Sequence, residues 1–311
     1  LHDALPISMD EKTFEIALKK FKAVDLKKGG MGKVYILKNL SGENSNSWSM
    51  DFVLARSPDL QDRYKYVDRP YLAAKTILSS DLWDMFLREL NIWLAFDHPG
   101  CVPLLQIIRN DGMLYAVMPY YEKNLSDMIF EKPVKPNSLL KSMIRCVEFL
   151  NEAKTKGVIH LDLKPENILI QQDGESYISR ISDWGIANIL QTHVSRSAMH
   201  RNEMFRTLIG YGTLPYMAPE RILQAKPDYL SDIFSLGIIF YEILLGSFPY
   251  ATDSDLGTSI ISGSYYENAE KNLWSHENKN LARLILGMIH PDHACRVNDY
   301  KTISKTLTNL H

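Results

Sequence analysis

His160-Leu161-Asp162-Leu163-Lys164-Pro165-Glu166-Asn167-Ile168-Leu169-Ile170 is the stretch on which the reading of the whole chain turns. It follows an apolar pair, Val158-Ile159, and runs out into an alternating apolar segment suited to a short buried strand. Between the two lie a carboxylate, an ammonium and an amide, with one proline holding the turn. Chemically, Asp162 can accept a hydroxyl proton, Lys164 can steady a transferring phosphoryl group, and Asn167 can ligate a cation. Phosphoryl transfer calls for those three functions at close quarters, because positioning and electrostatics supply most of its catalysis. An ordinary polar loop between helix and strand would account for any one of these residues, but not for all of them in this order.

The stretch resembles the catalytic loop of eukaryotic-type (Hanks-type) serine/threonine protein kinases, H-R-D-L-K-P-E-N, with Leu161 standing where arginine is usual. Other segments extend the resemblance from about Ala23 to Leu307. Asp25-Leu26-Lys27-Lys28-Gly29-Gly30-Met31-Gly32-Lys33-Val34 is similar to the family's Gly-rich loop, with Lys27 at the first glycine and Met31 at the aromatic position. Leu72-Ala73-Ala74-Lys75 looks like the V-A-I-K strand, and 81–96 like helix αC, with Asp81 as N-cap. Asp183-Trp184-Gly185, twenty-one residues beyond Asp162, resembles D-F-G with tryptophan for phenylalanine. Gly212-Thr213-Leu214-Pro215-Tyr216-Met217-Ala218-Pro219-Glu220 is close to the segment that ends in A-P-E.

Composition sets the outer bounds. A chain of 311 residues, 45% hydrophobic and 23% charged, suits a soluble globular protein with room for a large core. A net charge of −2 gives no reason to expect nucleic acid or a membrane surface as partner. Cys101, Cys146 and Cys295 are scattered, form no C-x-x-C pair and point to a reducing, cytoplasmic setting. The most apolar stretch, 233–248, carries Glu242 and is too short to span a bilayer; it reads as a fully buried helix. Residues 1–8, ahead of Met9, lack a basic region or a long apolar run and read as a leader or artefact rather than a signal peptide.

In chain order, Thr13 to Phe21 has helical spacing and is expected to form a short surface helix or the run into the first strand. A Ser/Asn-rich insert of about 39–69 separates the Gly-rich loop from the Lys75 strand, and its second part, 50–56 and 64–67, could add a strand pair. Met113 to Tyr121 reads as a strand leading into a connector, Leu139 to Ala153 as one amphipathic helix, and Ser176 to Ser182 as a strand. The fold expected by resemblance is α+β and bilobal. A β-rich N-lobe with helix αC covers about 13–118, a hinge 119–122, and a mainly helical C-lobe 123–311, all within one domain from 9 to 311.

The resemblance also implies a site. Asp162 would be the catalytic base, Lys164 and Asn167 its neighbours, and Lys75, paired with Glu89, the ligand of the ATP phosphates. Gly29, Gly30, Gly32, Val34, Ala73, Met118 (as gatekeeper), Pro119, Tyr121 and Leu169 complete the nucleotide-binding set, and Asn167 and Asp183 would hold Mg²⁺. Pro119 has no N–H, so only its carbonyl is on offer to adenine. Asp232 is expected to cap the catalytic-loop backbone, and Arg296 to pair with Glu220. Trp93 and Trp184 are expected to pack together in an apolar column with Leu104 and His160. The function implied is ATP-dependent phosphorylation of Ser/Thr hydroxyls on protein substrates, of the type lacking arginine before the catalytic aspartate. The alternative is a pseudokinase acting as a nucleotide-binding scaffold, suggested by Lys27, Leu161 and Trp184. With Leu161 the loop lacks its usual cation, so the active arrangement is expected to form without phosphate on the segment 188–212.

Overall fold

A computed structural model of the chain describes residues 13–16, 19–28, 32–40, 69–78, 82–131, 134–184, 214–223, 225–250 and 255–310. The chain divides into two compact units, Leu1–Phe86 with Pro103–Tyr120, and Leu87–Val102 with Tyr121–His311. The first is built on an antiparallel sheet of strands β1 (Thr13–Ile16), β2 (Lys19–Lys28), β3 (Gly32–Asn39), β4 (Tyr71–Ile77), β5 (Gln106–Asn110) and β6 (Met113–Pro119). Their order is β1-β2-β3-β4-β6-β5. Alternation sets its buried face: Phe21 and Ala23, Leu72 and Ala74, and Tyr115 and Val117 are each two apart and cluster with Ile16, Leu37 and Ile108. The β5–β6 hairpin closes on Asp111-Gly112, with φ of 49° and 76°, the paired left-handed geometry that a two-residue Asp-Gly loop favours.

Of the two forms expected for Thr13 to Phe21, the described residues adopt strand rather than helix: Thr13–Ile16 is β1, Lys19 to Phe21 open β2, and Ile16 and Phe21 are both fully buried in the sheet core. The insert strands expected at 50–56 and 64–67 lie outside the described residues, as do Asp81, the segment 188–212 and residues 1–8.

The second unit carries α1 (Trp83–Leu94) from Leu87 onward. Then come β7 (Lys123–Asn124), α2 (Leu125–Ile129), α3 (Pro136–Ser142), α4 (Ile144–Thr155), β8 (Ile168–Asp173) and β9 (Ser176–Ile181). After these follow α5 (Pro219–Ile222), α6 (Tyr229–Leu245), α7 (Leu256–Ser262), α8 (Tyr265–Trp274), α9 (Lys279–Met288) and α10 (Tyr300–Thr308). The single helix expected over 139–153 is two, broken at Met143, which closes α3 and opens α4. The apolar stretch does form a buried helix. Every residue of α6 from Leu230 to Ile243 is buried, Asp228 caps its N-terminus and Gly246 ends it at φ 65°. No helix among the described residues is long and apolar enough to cross a membrane.

Candidate active site

The catalytic-loop stretch leaves α4 through Gly157, whose φ of 70° turns the chain back toward the core. It is then pinned from below by α6. Asp232 accepts the backbone N–H of His160 on Oδ2 and that of Leu161 on Oδ1, each at 2.7 Å. This is the cap expected of Asp232, and two donors are what a buried carboxylate needs. Burial still raises its carboxyl above the ordinary range, while His160, the two N–H donors and Arg221 act in the opposite sense.

His160 is fully buried and bridges two parts of the site. Its Nε2 lies 3.0 Å from the Ser182 carbonyl, which can only accept, so Nε2 carries the proton. Nδ1 is then free to accept the Asp162 N–H at 3.3 Å. The Asn167 carbonyl accepts both the N–H (2.9 Å) and the hydroxyl (3.1 Å) of Ser182. These bonds set the residue before Asp183 directly beside the loop. Leu161 and Asp183 both adopt left-handed backbone, φ 67° and 66°, uncommon for residues with a Cβ and concentrated here in one site.

Asp162 is buried and its two oxygens are treated differently. Oδ2 receives Asn167 Nδ2 at 3.1 Å and stands 3.2 Å from Lys164 Nζ. Asn167 Nδ2 also donates to the Asp162 carbonyl at 2.8 Å. Oδ1 is buried with no hydrogen-bond partner among the described residues. The three residues singled out from the sequence are therefore brought together, with one acceptor atom left over. Because both bonds of the Asn167 amide to Asp162 use Nδ2, its Oδ1 remains for other use, and amide and carboxylate oxygens are the hard donors that Mg²⁺ prefers.

The other expected residues lie as follows. In the first unit, Lys75 on β4 is opposite Val34 of β3 and Ala116 of β6, and Ala73 is opposite Met118. Met118 and Pro119 are buried at the end of β6, where a missing N–H is tolerated. A Cβ on Gly32 would sit 2.8 Å from the Thr76 carbonyl oxygen, so β3 approaches β4 too closely for any larger residue. Gly29, Gly30 and Met31 lie outside the described residues. In the second unit, Glu89 is buried on α1, Tyr121 is buried with the Arg180 guanidinium 5.8 Å from its ring centre, and Leu169 is half-buried on β8.

The aromatic column needs correcting. Trp184 is buried, but it stacks on Phe96 (centroids 5.5 Å apart, planes 24° apart), meets Phe149 edge-on at 5.3 Å and touches His160 at 4.7 Å. Trp93 instead directs its indole N–H to the Val102 carbonyl at 2.6 Å. Phe96 lies just beyond the end of α1, where its chain direction no longer follows helical spacing, so counting turns from Glu89 selected the wrong ring.

Farther from the loop, Arg296 donates from Nη1 and Nη2 to the two oxygens of Glu220 at 2.7 and 2.9 Å, as expected. Burial works against the Glu220 charge, but the Arg296 pair, with the Ser231 hydroxyl and a backbone donor, more than offsets it and holds the carboxyl below its ordinary range. Tyr216 donates to Glu242 Oε2 at 2.7 Å inside the core; burial raises both groups, and the nearby Glu166 charge raises them further. The residue that sequence reasoning missed is Arg221. It is buried, and its Nη1 donates to the Leu161 carbonyl. A basic residue directly after Glu220, in a chain lacking the loop arginine, was the available signal.

Comparison with known proteins agrees with this geometry. The family model "Protein kinase domain" matches residues 65–307. A probable serine/threonine-protein kinase of Clostridium perfringens is 30% identical over 72% of this chain, and serine/threonine-protein kinase PknD of Chlamydia pneumoniae is 31% identical over 72%. Serine/threonine-protein kinase cds1 of Schizosaccharomyces pombe is 35% identical over 55%. The matches cover 31%, 24% and 36% of those proteins' own lengths, so the chain corresponds to a minor part of each. With a sheet-based first unit and a helical second unit, and with the loop, A-P-E and Asp232 contacts in place, the chain belongs to the Hanks-type serine/threonine protein kinase family.

Proposed function

We propose that this chain transfers the γ-phosphoryl group of Mg·ATP to serine or threonine hydroxyls of protein substrates. The observation that carries the reading is the asymmetry of Asp162. Lys164 and Asn167 hold Oδ2, while Oδ1 is buried with no partner among the described residues. A buried acceptor without a donor is costly, by about 1–3 kcal/mol, and here an incoming hydroxyl would meet the need. In this reading Asp162 orients the acceptor hydroxyl and takes its proton, and Lys164 steadies the charge that develops on the transferring group. Asn167 and Asp183 would hold Mg²⁺, which supplies charge neutralisation at the phosphates. Lys75, oriented by Glu89, and the backbone of Gly29, Gly30 and Gly32 would hold the phosphates. Val34, Ala73, Met118, Pro119, Tyr121 and Leu169 would complete the nucleotide site. The kinase domain is taken as 9–311, and all three cysteines being free thiols supports a cytoplasmic setting.

The test is turnover of Mg·ATP with a mixture of Ser/Thr peptides, comparing wild type with two variants. Asp162→Asn is expected to lower transfer by at least about 10³-fold with nucleotide affinity nearly unchanged, since it acts on the acceptor. Asp183→Asn is expected to weaken metal-dependent nucleotide binding instead. Equal turnover in wild type and Asp162→Asn would refute the assignment. Nucleotide binding without any transfer by wild type would favour the scaffold reading.

A further inference from the structure

We propose that Arg221 is a positioning residue of the catalytic loop: a buried cation, contributed by α5, that takes over in space the place left uncharged in sequence by Leu161. For its turnover readout the proposal rests on the kinase reading above.

The Leu161 side chain is buried, 1% exposed, and carries no charge. Its peptide is nevertheless held at both ends by charged groups. The N–H goes to Asp232 Oδ1 at 2.7 Å, and the carbonyl receives Arg221 Nη1. Between those anchors the backbone is left-handed, φ 67°, a conformation that a leucine keeps only when its surroundings impose it. Asp162 is the next residue, so the turn at Leu161 aims the carboxylate.

Arg221 itself is an unusual tenant of a core. It is buried, its Nε has no partner among the described residues, and burial disfavours its charge, with the carboxylates of Asp162, Asp232 and Glu220 acting to retain it. A buried guanidinium with an unmet donor is a poor choice for stability alone, because an apolar residue of similar volume does as well or better. Its rigid fork and permanent charge suit it to fixing a carbonyl beside a set of carboxylates. The position of α5 is itself secured, since the adjoining Glu220 is bound by Arg296 on both oxygens and by the Ser231 hydroxyl at 2.7 Å. Arg221 thus ties the end of the A-P-E segment to the loop that carries Asp162.

The experiment compares the whole chain with Arg221→Met, Arg221→Lys and Arg221→Gln by two readouts. In steady-state kinetics, Arg221→Met is expected to lower kcat by roughly 30- to 100-fold, with KM for ATP and peptide within about twofold. Lysine is expected to recover most of the rate and glutamine little. In hydrogen exchange, amides of the stretch 158–163 are expected to exchange about tenfold faster in Arg221→Met, with α6 and the first-unit sheet unaffected. Exchange raised evenly throughout, or glutamine matching lysine, would overturn the proposal by showing a merely structural role. If Arg221→Met fails to fold, the lysine–glutamine comparison decides. If wild type shows no transfer, the kinase reading fails on its own account, and loop exchange alone decides the role of Arg221.

Discussion

Among single residues, the bidentate Glu220–Arg296 pair offers the clearest physical test. The Arg296 side chain is fully buried and that of Glu220 is 12% exposed, so removing one partner leaves a charge without compensation. Glu220→Gln is expected to cost about 3 kcal/mol in chemical denaturation, more than most single changes outside the core. The pair also gives the molecule a pH signature. Arg296 holds the Glu220 carboxyl below its ordinary value of 4.5, despite the opposing effect of burial. Between the folded and unfolded pKa values the unfolded chain binds the extra proton, so stability rises with pH there. The contribution is present above about 4.5 and is lost as pH falls through the lower folded value. Acid titration of stability should therefore show a shallower fall in Glu220→Gln than in wild type; parallel curves would show that the pair is not ionised as described.

Individual elements meet at places where the backbone or a ring, rather than a charge, sets the spacing. Gly237 lies in the middle of α6, and a Cβ there would stand 2.7 Å from both Ile289 Cγ2 and Met288 Cβ at the end of α9. Gly237→Ala is expected to destabilise by about 1–3 kcal/mol through overpacking, although alanine is the better helix former. A stabilised variant would mean that the two helices are not in contact at that point. The stack of Phe96 on Trp184 connects the end of α1 to the Asp183 turn. A double-mutant cycle on Phe96 and Trp184 should give about 1 kcal/mol of coupling, against nearly none for Trp93 and Trp184. The reverse ranking would restore the column first expected from the sequence.

Taken as a whole molecule, the chain lacks an arginine before Asp162 but keeps a buried one at Arg221, already bonded to the Leu161 carbonyl and held charged by the fields of Asp162, Asp232 and Glu220. Phosphatase treatment that clears the segment 188–212, checked by mass spectrometry, should leave initial rates within about tenfold, or 1.4 kcal/mol in barrier. A larger fall reversed by rephosphorylation would show that phosphate controls the site. Much of this architecture was legible from residue order alone. The strands at β6, β8 and β9 and the buried α6 followed from periodicity, and the grouping of Asp162, Lys164 and Asn167 from their places in one short stretch, while β4 and the Asp232 and Arg296 contacts were implied by the family resemblance. Local pattern suffices for the strands, the helix and the loop, because alternation, caps and a proline-held turn act over a few residues. Tertiary structure decided the rest. It made Thr13–Ile16 and Lys19 to Phe21 paired strands because Ile16 and Phe21 complete a sheet core drawn from distant strands. It also chose Phe96 over Trp93, and it delivered a cation from position 221 to a loop sixty residues earlier. Neither spacing nor composition encodes such meetings, since they depend on which faces the packed elements turn toward one another.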